Sequence, residues 1–152
     1  MARTATARTV VPLTLAEAQS LWTDAGRWAT FVEGFAQVVE ASPDWPEPDA
    51  RLVWRSTPGG RGQVTERVQR NAPGLFATSV YEDALHGTQT ATFRSGDDGA
   101  TVVELTLEYE LAGNNPLRAI ADAIFIRRAQ RDALARTLRR FRVEAEEDAS
   151  LR

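Results

Sequence analysis

Four residues carry polar chemistry at positions where the pattern around them is apolar: Glu66, Tyr109, Arg127 and Arg131. Glu66 alternates in step with Val64 and Val68, which puts its carboxyl on the dry face of a strand. A carboxyl buried alone is costly, so it needs a partner, a raised pKa or a place at an opening. Arg127 and Arg131 fall, at about 100° per residue, within a helical stripe made by Ile120, Ile124, Leu134 and Leu138. An inward arginine facing Glu66 would make one polar spot among apolar groups, able to orient a ligand carbonyl or hydroxyl or to stabilise an enolate. A structural ion pair, or arginines reaching out past the helix edge, gives the same pattern. Tyr81 and Tyr109 are the only phenols; alternation turns Tyr109 inward, whereas the strand of Tyr81 alternates poorly. Glu66, Arg131 and Tyr109 are therefore the candidates for catalysis, if there is any.

Composition removes most other chemistry. The 152 residues include no cysteine and a single histidine, His86, and all 18 cationic residues are arginine. Thiol nucleophiles, zinc–thiolate sites, iron–sulfur clusters, Schiff bases and a P-loop lysine are excluded. His86 stands beside Gly87 with no neighbouring cluster, and no serine or threonine has nucleophile-elbow spacing, so neither a metal nor a covalent nucleophile is expected. No other cofactor is expected either. Eight arginines between Arg118 and Arg142 face only Asp122 and Asp132, a local charge of +6 that would suit an acidic partner. The net charge of −3 and the acidic run Glu144, Glu146, Glu147 and Asp148 favour a solvated helix face, with no nucleic acid expected.

These side chains must be positioned by a small set of elements. Residues 4–11 are rich in Thr and Val, which suits a strand that Pro12 ends. Thr14 and Glu17 have capping-box spacing, and Leu15, Ala18, Leu21 and Trp22 share a helical face. A second short helix after Asp24 puts Trp28 and Phe31 on one side. Strands follow over 35–41, 51–57, 63–70, 75–82 and 88–95, separated by Pro- and Gly-rich turns, among them Gly59-Gly60-Arg61-Gly62. Residues 101–111 alternate cleanly, with Val103, Leu105, Leu107, Tyr109 and Leu111 on one face and Glu104, Thr106, Glu108 and Glu110 on the other. Gly113-Asn114-Asn115-Pro116 then breaks the strand and opens a long helix that includes Leu117. The charged residues 145–152 are expected to fray. No repeat or linker divides the chain, so a single domain is expected over 1–152. The longest stretch free of Asp, Glu and Arg, residues 71–81, is far shorter than the ~20 residues a spanning helix needs. A cytoplasmic monomer or weak dimer without membrane insertion is the expectation.

This order resembles the START-related helix-grip superfamily, also called SRPBCC, and within it the polyketide cyclase/dehydrase-like branch. The likeness rests on Val10-Val11-Pro12, the pair Trp22 and Trp28, the strand Gly62-Gln63-Val64-Thr65-Glu66 and the helix from Phe125 to Phe141. It covers roughly residues 4–145 and implies an α+β fold, a seven-stranded curved antiparallel sheet around a long C-terminal helix. It further implies a cavity between sheet and helix for a hydrophobic small molecule such as a lipid, sterol, quinone or polyketide. The residues expected to line it are Trp54, Val64, Glu66, Val68, Leu105, Leu107, Tyr109, Ile124, Arg127 and Arg131. Some members of the superfamily cyclise polyketides and others only bind or carry, and fold alone does not choose. Three readings therefore stand: a carrier of a hydrophobic molecule, an aromatase/cyclase-like enzyme, and an interaction protein docking through its Arg-rich helix.

Overall fold

In the computed structural model, residues 2–112 and 116–152 are described, with side chains of the last helix described from residue 124 onward. The Thr/Val-rich start forms β1, Arg3–Val11. Thr14 opens α1, Leu15–Thr23: its hydroxyl accepts from the Glu17 N–H at 3.3 Å, and the Glu17 carboxylate accepts from the Thr14 N–H at 3.0 Å. A 3-10 turn over Ala25–Arg27 leads into the one-turn helix α2, Trp28–Phe31. Six strands follow: β2 (Phe35–Ala41), β3 (Arg51–Ser56), β4 (Gln63–Ala72), β5 (Leu75–Tyr81), β6 (Leu85–Ser95) and β7 (Thr101–Leu111). The chain ends in α3, Pro116–Ser150.

All neighbouring strands are antiparallel, in the order β1-β7-β6-β5-β4-β3-β2. Consecutive strands from β2 to β7 are thus hairpin neighbours, while α1 and α2 carry the chain from one edge of the sheet to the other. This is the helix-grip arrangement expected above. The helices hold different parts of it: α3 lies along β1, α1 reaches β6, and α2 packs on β2 and α3. No helix packs broadly on β3, β4 or β5 among the described residues.

At the junction of the three helices Trp22, Phe31 and Phe141 form an aromatic triad, with ring centroids 5.1–5.5 Å apart. Leu134, Leu138, Phe141 and Ala145 of α3 are buried there. Residues 145–152 do not fray as expected, since α3 stays helical to Ser150. Two contacts hold this end: the Arg27 guanidinium bonds Glu144 at 2.8 Å and Asp148 at 3.0 Å, and Ala145 packs beneath.

The N-terminal half of α3 corrects a second expectation. Among its described residues the covered positions are Ile126, Gln130 and Ala133, leading into Leu134 and Thr137, whereas Ile124, Arg127 and Arg131 are exposed. Both series recur at three and four residues, so periodicity alone admits either. Packing against the rest of the fold decides between them, and here it selects the first. Gly113, Asn114 and Asn115, expected to break the strand, and the side chains of Leu117, Arg118, Ile120 and Asp122 lie outside the described residues. Among the described residues no helix is long and apolar enough to cross a membrane.

Candidate functional site

The inner face of the sheet is built by register. Directly paired residues share a face, so one row crosses the sheet as Leu52, Glu66, Val80, Gly87, Tyr109 and Arg3. The next row on the same face runs Val68, Thr78, Gln89, Leu107 and Ala5. Trp54, Val64, Val68, Leu105, Leu107 and Tyr109 are all buried on this face, as alternation required. Aromatic rings from outside the sheet's middle cover part of it: Phe35 lies 5.1 Å from Trp54, and Trp45 lies 5.8 Å from Phe76.

Glu66 is buried, with 4% of its surface exposed. One carboxylate oxygen accepts from Trp54 Nε1 at 2.8 Å and the other from Thr78 Oγ1 at 2.9 Å. Burial pushes its carboxyl above the ordinary value of 4.5, against the lowering effect of those two donors and of the Arg61 charge. Arg61 is itself held by Glu82 and lies over the Trp54 ring, 5.2 Å from the centroid. The expected pairing of Glu66 with Arg127 or Arg131 is thereby corrected. The carboxyl is satisfied by two neutral donors from neighbouring strands, and the charges acting on it are those of Arg61 and Glu82.

Tyr109 stands three strands away in the same row. It is 1% exposed and its hydroxyl has no hydrogen-bond partner among the described residues. Burial pushes its phenol up, while the charges of Arg3 and Arg127 act in the opposite direction. Gly87 beside it has no room for a side chain: a Cβ there would stand 2.0 Å from the Glu108 carbonyl oxygen. Tyr81 and His86 stack on each other at 5.8 Å, both exposed. No cluster of three potential metal ligands occurs among the described residues. From α3, Arg136 donates to Glu33, Arg140 lies within ion-pair distance of the same carboxylate and Arg142 of Glu146, so part of the arginine-rich face is paired.

Among the polar residues on this face, Thr78, Gln89 and Arg3 escape the sequence reading. Thr78 and Gln89 alternate with Phe76 and Val80, and with Ala91 and Phe93, a signal present in the sequence. Arg3 has no such signal, because only its pairing with Tyr109 across the two ends of the chain turns it inward.

A family model described as polyketide cyclase/dehydrase and lipid transport matches residues 2–146. No curated protein matches the sequence. Solved structures share the fold at low identity. A protein of Thermus thermophilus superposes with a TM-score of 0.78 at 15% identity, covering 96% of this chain and 99% of its own. A START superfamily protein of Mycobacterium smegmatis gives 0.76 at 11%, covering 95% and 97%. The Zhui aromatase/cyclase of a Streptomyces species gives 0.76 at 14%, covering 98% and 96%.

Proposed function

The chain belongs to the polyketide cyclase/dehydrase and lipid transport family, and from that premise we propose that it binds a hydrophobic small molecule between the sheet and α3. The observation that carries this reading is the inner wall of β3, β4 and β5, which is apolar but for Ser56, Glu66 and Thr78 and has no helix packed broadly against it among the described residues. Apolar walls with a few placed polar groups are what such ligands need. Trp54, Val64, Glu66, Val68, Leu105, Leu107 and Tyr109 are the proposed lining.

The direct experiment is titration with the neutral fluorophore N-phenyl naphthylamine, alongside native mass spectrometry for a retained nonpolar molecule. Wild-type protein is expected to bind the fluorophore, and Leu107→Trp, which adds bulk to the wall, to weaken binding while the fold is kept. Absence of binding by the folded wild-type protein refutes the reading.

A second reading is favoured by Glu66 itself. A buried carboxyl whose pKa is raised by that burial is suited to exchange a proton with a bound ligand, which is what an aromatase/cyclase-like enzyme requires. The Zhui aromatase/cyclase shares the fold. Turnover of a poly-β-keto mimic, lost in Glu66→Gln, would select this reading over simple binding.

A further inference from the structure

Buried polar atoms are almost always paired, because an unpaired one has given up its water for nothing in return. Two exceptions meet at one place on the inner face. The Tyr109 hydroxyl and Arg3 Nε are both shut off from solvent and have no hydrogen-bond partner among the described residues. Arg3 and Tyr109 are direct cross-strand partners, so their side chains stand side by side on the same face. They lie at the opposite end of the row from Glu66, which is fully served by Trp54 and Thr78. No carboxylate lies within salt-bridge distance of Arg3 among the described residues. On the other side of Tyr109 stands Gly87, which presents no side chain, and one pair further along is the half-buried Gln89.

A half-buried arginine at the sheet edge with a free, buried Nε, beside a buried phenol hydroxyl that is also unpaired among the described residues, suits one class of guest. We propose that Arg3 and Tyr109 form an oxyanion subsite, which takes a carboxylate, sulfonate or enolate oxygen borne by an otherwise apolar ligand. The Arg3 guanidinium donates to that oxygen, and the Tyr109 hydroxyl donates a second hydrogen bond. The positive field that favours the Tyr109 phenolate favours a ligand anion in the same place. Glu66, at the far end of the row, is left to face the neutral part of the molecule. The proposal rests on the hydrophobic-ligand reading above and names the chemical class of that ligand.

A matched probe pair tests it: the anionic anilinonaphthalene sulfonate and the neutral N-phenyl naphthylamine, which share their aromatic body and differ in the charge. Wild-type protein is expected to bind the sulfonate more tightly. Arg3→Gln and Tyr109→Phe are each expected to weaken the sulfonate about tenfold, the size of one charge-assisted hydrogen bond, and to leave the neutral probe within about twofold. Arg67→Gln, on the outer face of the sheet, is expected to change neither probe. Unaltered sulfonate affinity in both inner variants, or its loss in Arg67→Gln instead, overturns the subsite and leaves the hydrophobic-ligand reading standing. Failure of wild-type protein to bind either probe overturns both. Near-ultraviolet circular dichroism confirms that each variant is folded, and Arg3→Gln at the sheet's edge carries the test if Tyr109→Phe does not fold.

Discussion

The indole N–H of Trp54 donates to the Glu66 carboxylate at 2.8 Å, from the strand next to it in the sheet. That bond joins two polarities. On one side Arg61, anchored by Glu82, lies over the indole ring; on the other Thr78 closes the second carboxylate oxygen. A positive charge over the ring face draws electron density from the indole and sharpens its N–H as a donor. Glu66 thus feels the Arg61 charge across the indole, with no cation hydrogen-bonded to it among the described residues. The cost of burying it is reduced but not removed, which is why its carboxyl stays above the ordinary range.

That state has a pH signature. The unfolded chain releases the Glu66 proton near 4.5, whereas the folded protein holds it to higher pH. The folded state therefore binds more protons in this window, and stability falls as pH rises, by about 1.4 kcal/mol per unit until the folded carboxyl ionises. Glu66→Gln keeps an acceptor for Trp54 and a donor for Thr78 but cannot titrate. Urea unfolding at a series of pH values should show the variant gaining on wild type from pH 4.5 upward, then running parallel. A constant difference across the series would mean that Glu66 is not raised.

How much of this is legible depends on sequence distance. β7 declares itself through strict alternation, and Glu66 through its step with Val64 and Val68, so the seven strands and the burial of the carboxyl are readable. Its partners are not, because Trp54 and Thr78 meet it only through the registers of β3 with β4 and β4 with β5. The face of α3 is misread for a related reason. Ile124 and Ile126 both begin acceptable stripes, and only contact with β1 decides that Ile126 is covered while Ile124 is 68% exposed. Arg3 is the extreme case, since its partner lies at the other end of the chain.

Gly87 is fixed by space. A Cβ there would lie 2.0 Å from the Glu108 carbonyl oxygen and 2.8 Å from the Tyr109 Cα, both backbone atoms of the adjacent strand. Gly87→Ala must part β6 from β7 locally. The expected loss is about 3 kcal/mol or more, at the top of the range for overpacking. A thermal midpoint unchanged from wild type would show that the strands have slack.

Arg27 ties the last turns of α3 to the α1–α2 corner through Glu144 and Asp148. All three side chains are partly exposed, so screening limits the global effect of Arg27→Ala to about 1 kcal/mol or less, smaller at high salt. The local effect is expected to be larger. Hydrogen exchange should speed up over residues 145–150 while the segment around Leu138 stays protected. Equal protection in both proteins would mean that the packing of Ala145 alone holds the helix end.

The Trp54–Glu66 bond itself can be weighed by a double-mutant cycle. Trp54→Phe removes the N–H and keeps most of the ring, leaving one oxygen of a buried carboxyl without its donor. When the carboxyl is ionised the loss should approach the ~1.5–3 kcal/mol of a hydrogen bond to a charged group; when it is protonated the bond is neutral and worth about 1 kcal/mol. In the Glu66→Gln background the charge is absent at every pH, so Trp54→Phe should cost the smaller amount throughout. The coupling energy between the two sites, read from urea unfolding, is therefore expected to grow as Glu66 ionises. Coupling near zero at high pH would mean that the charge on Glu66 adds nothing to the bond it accepts from Trp54.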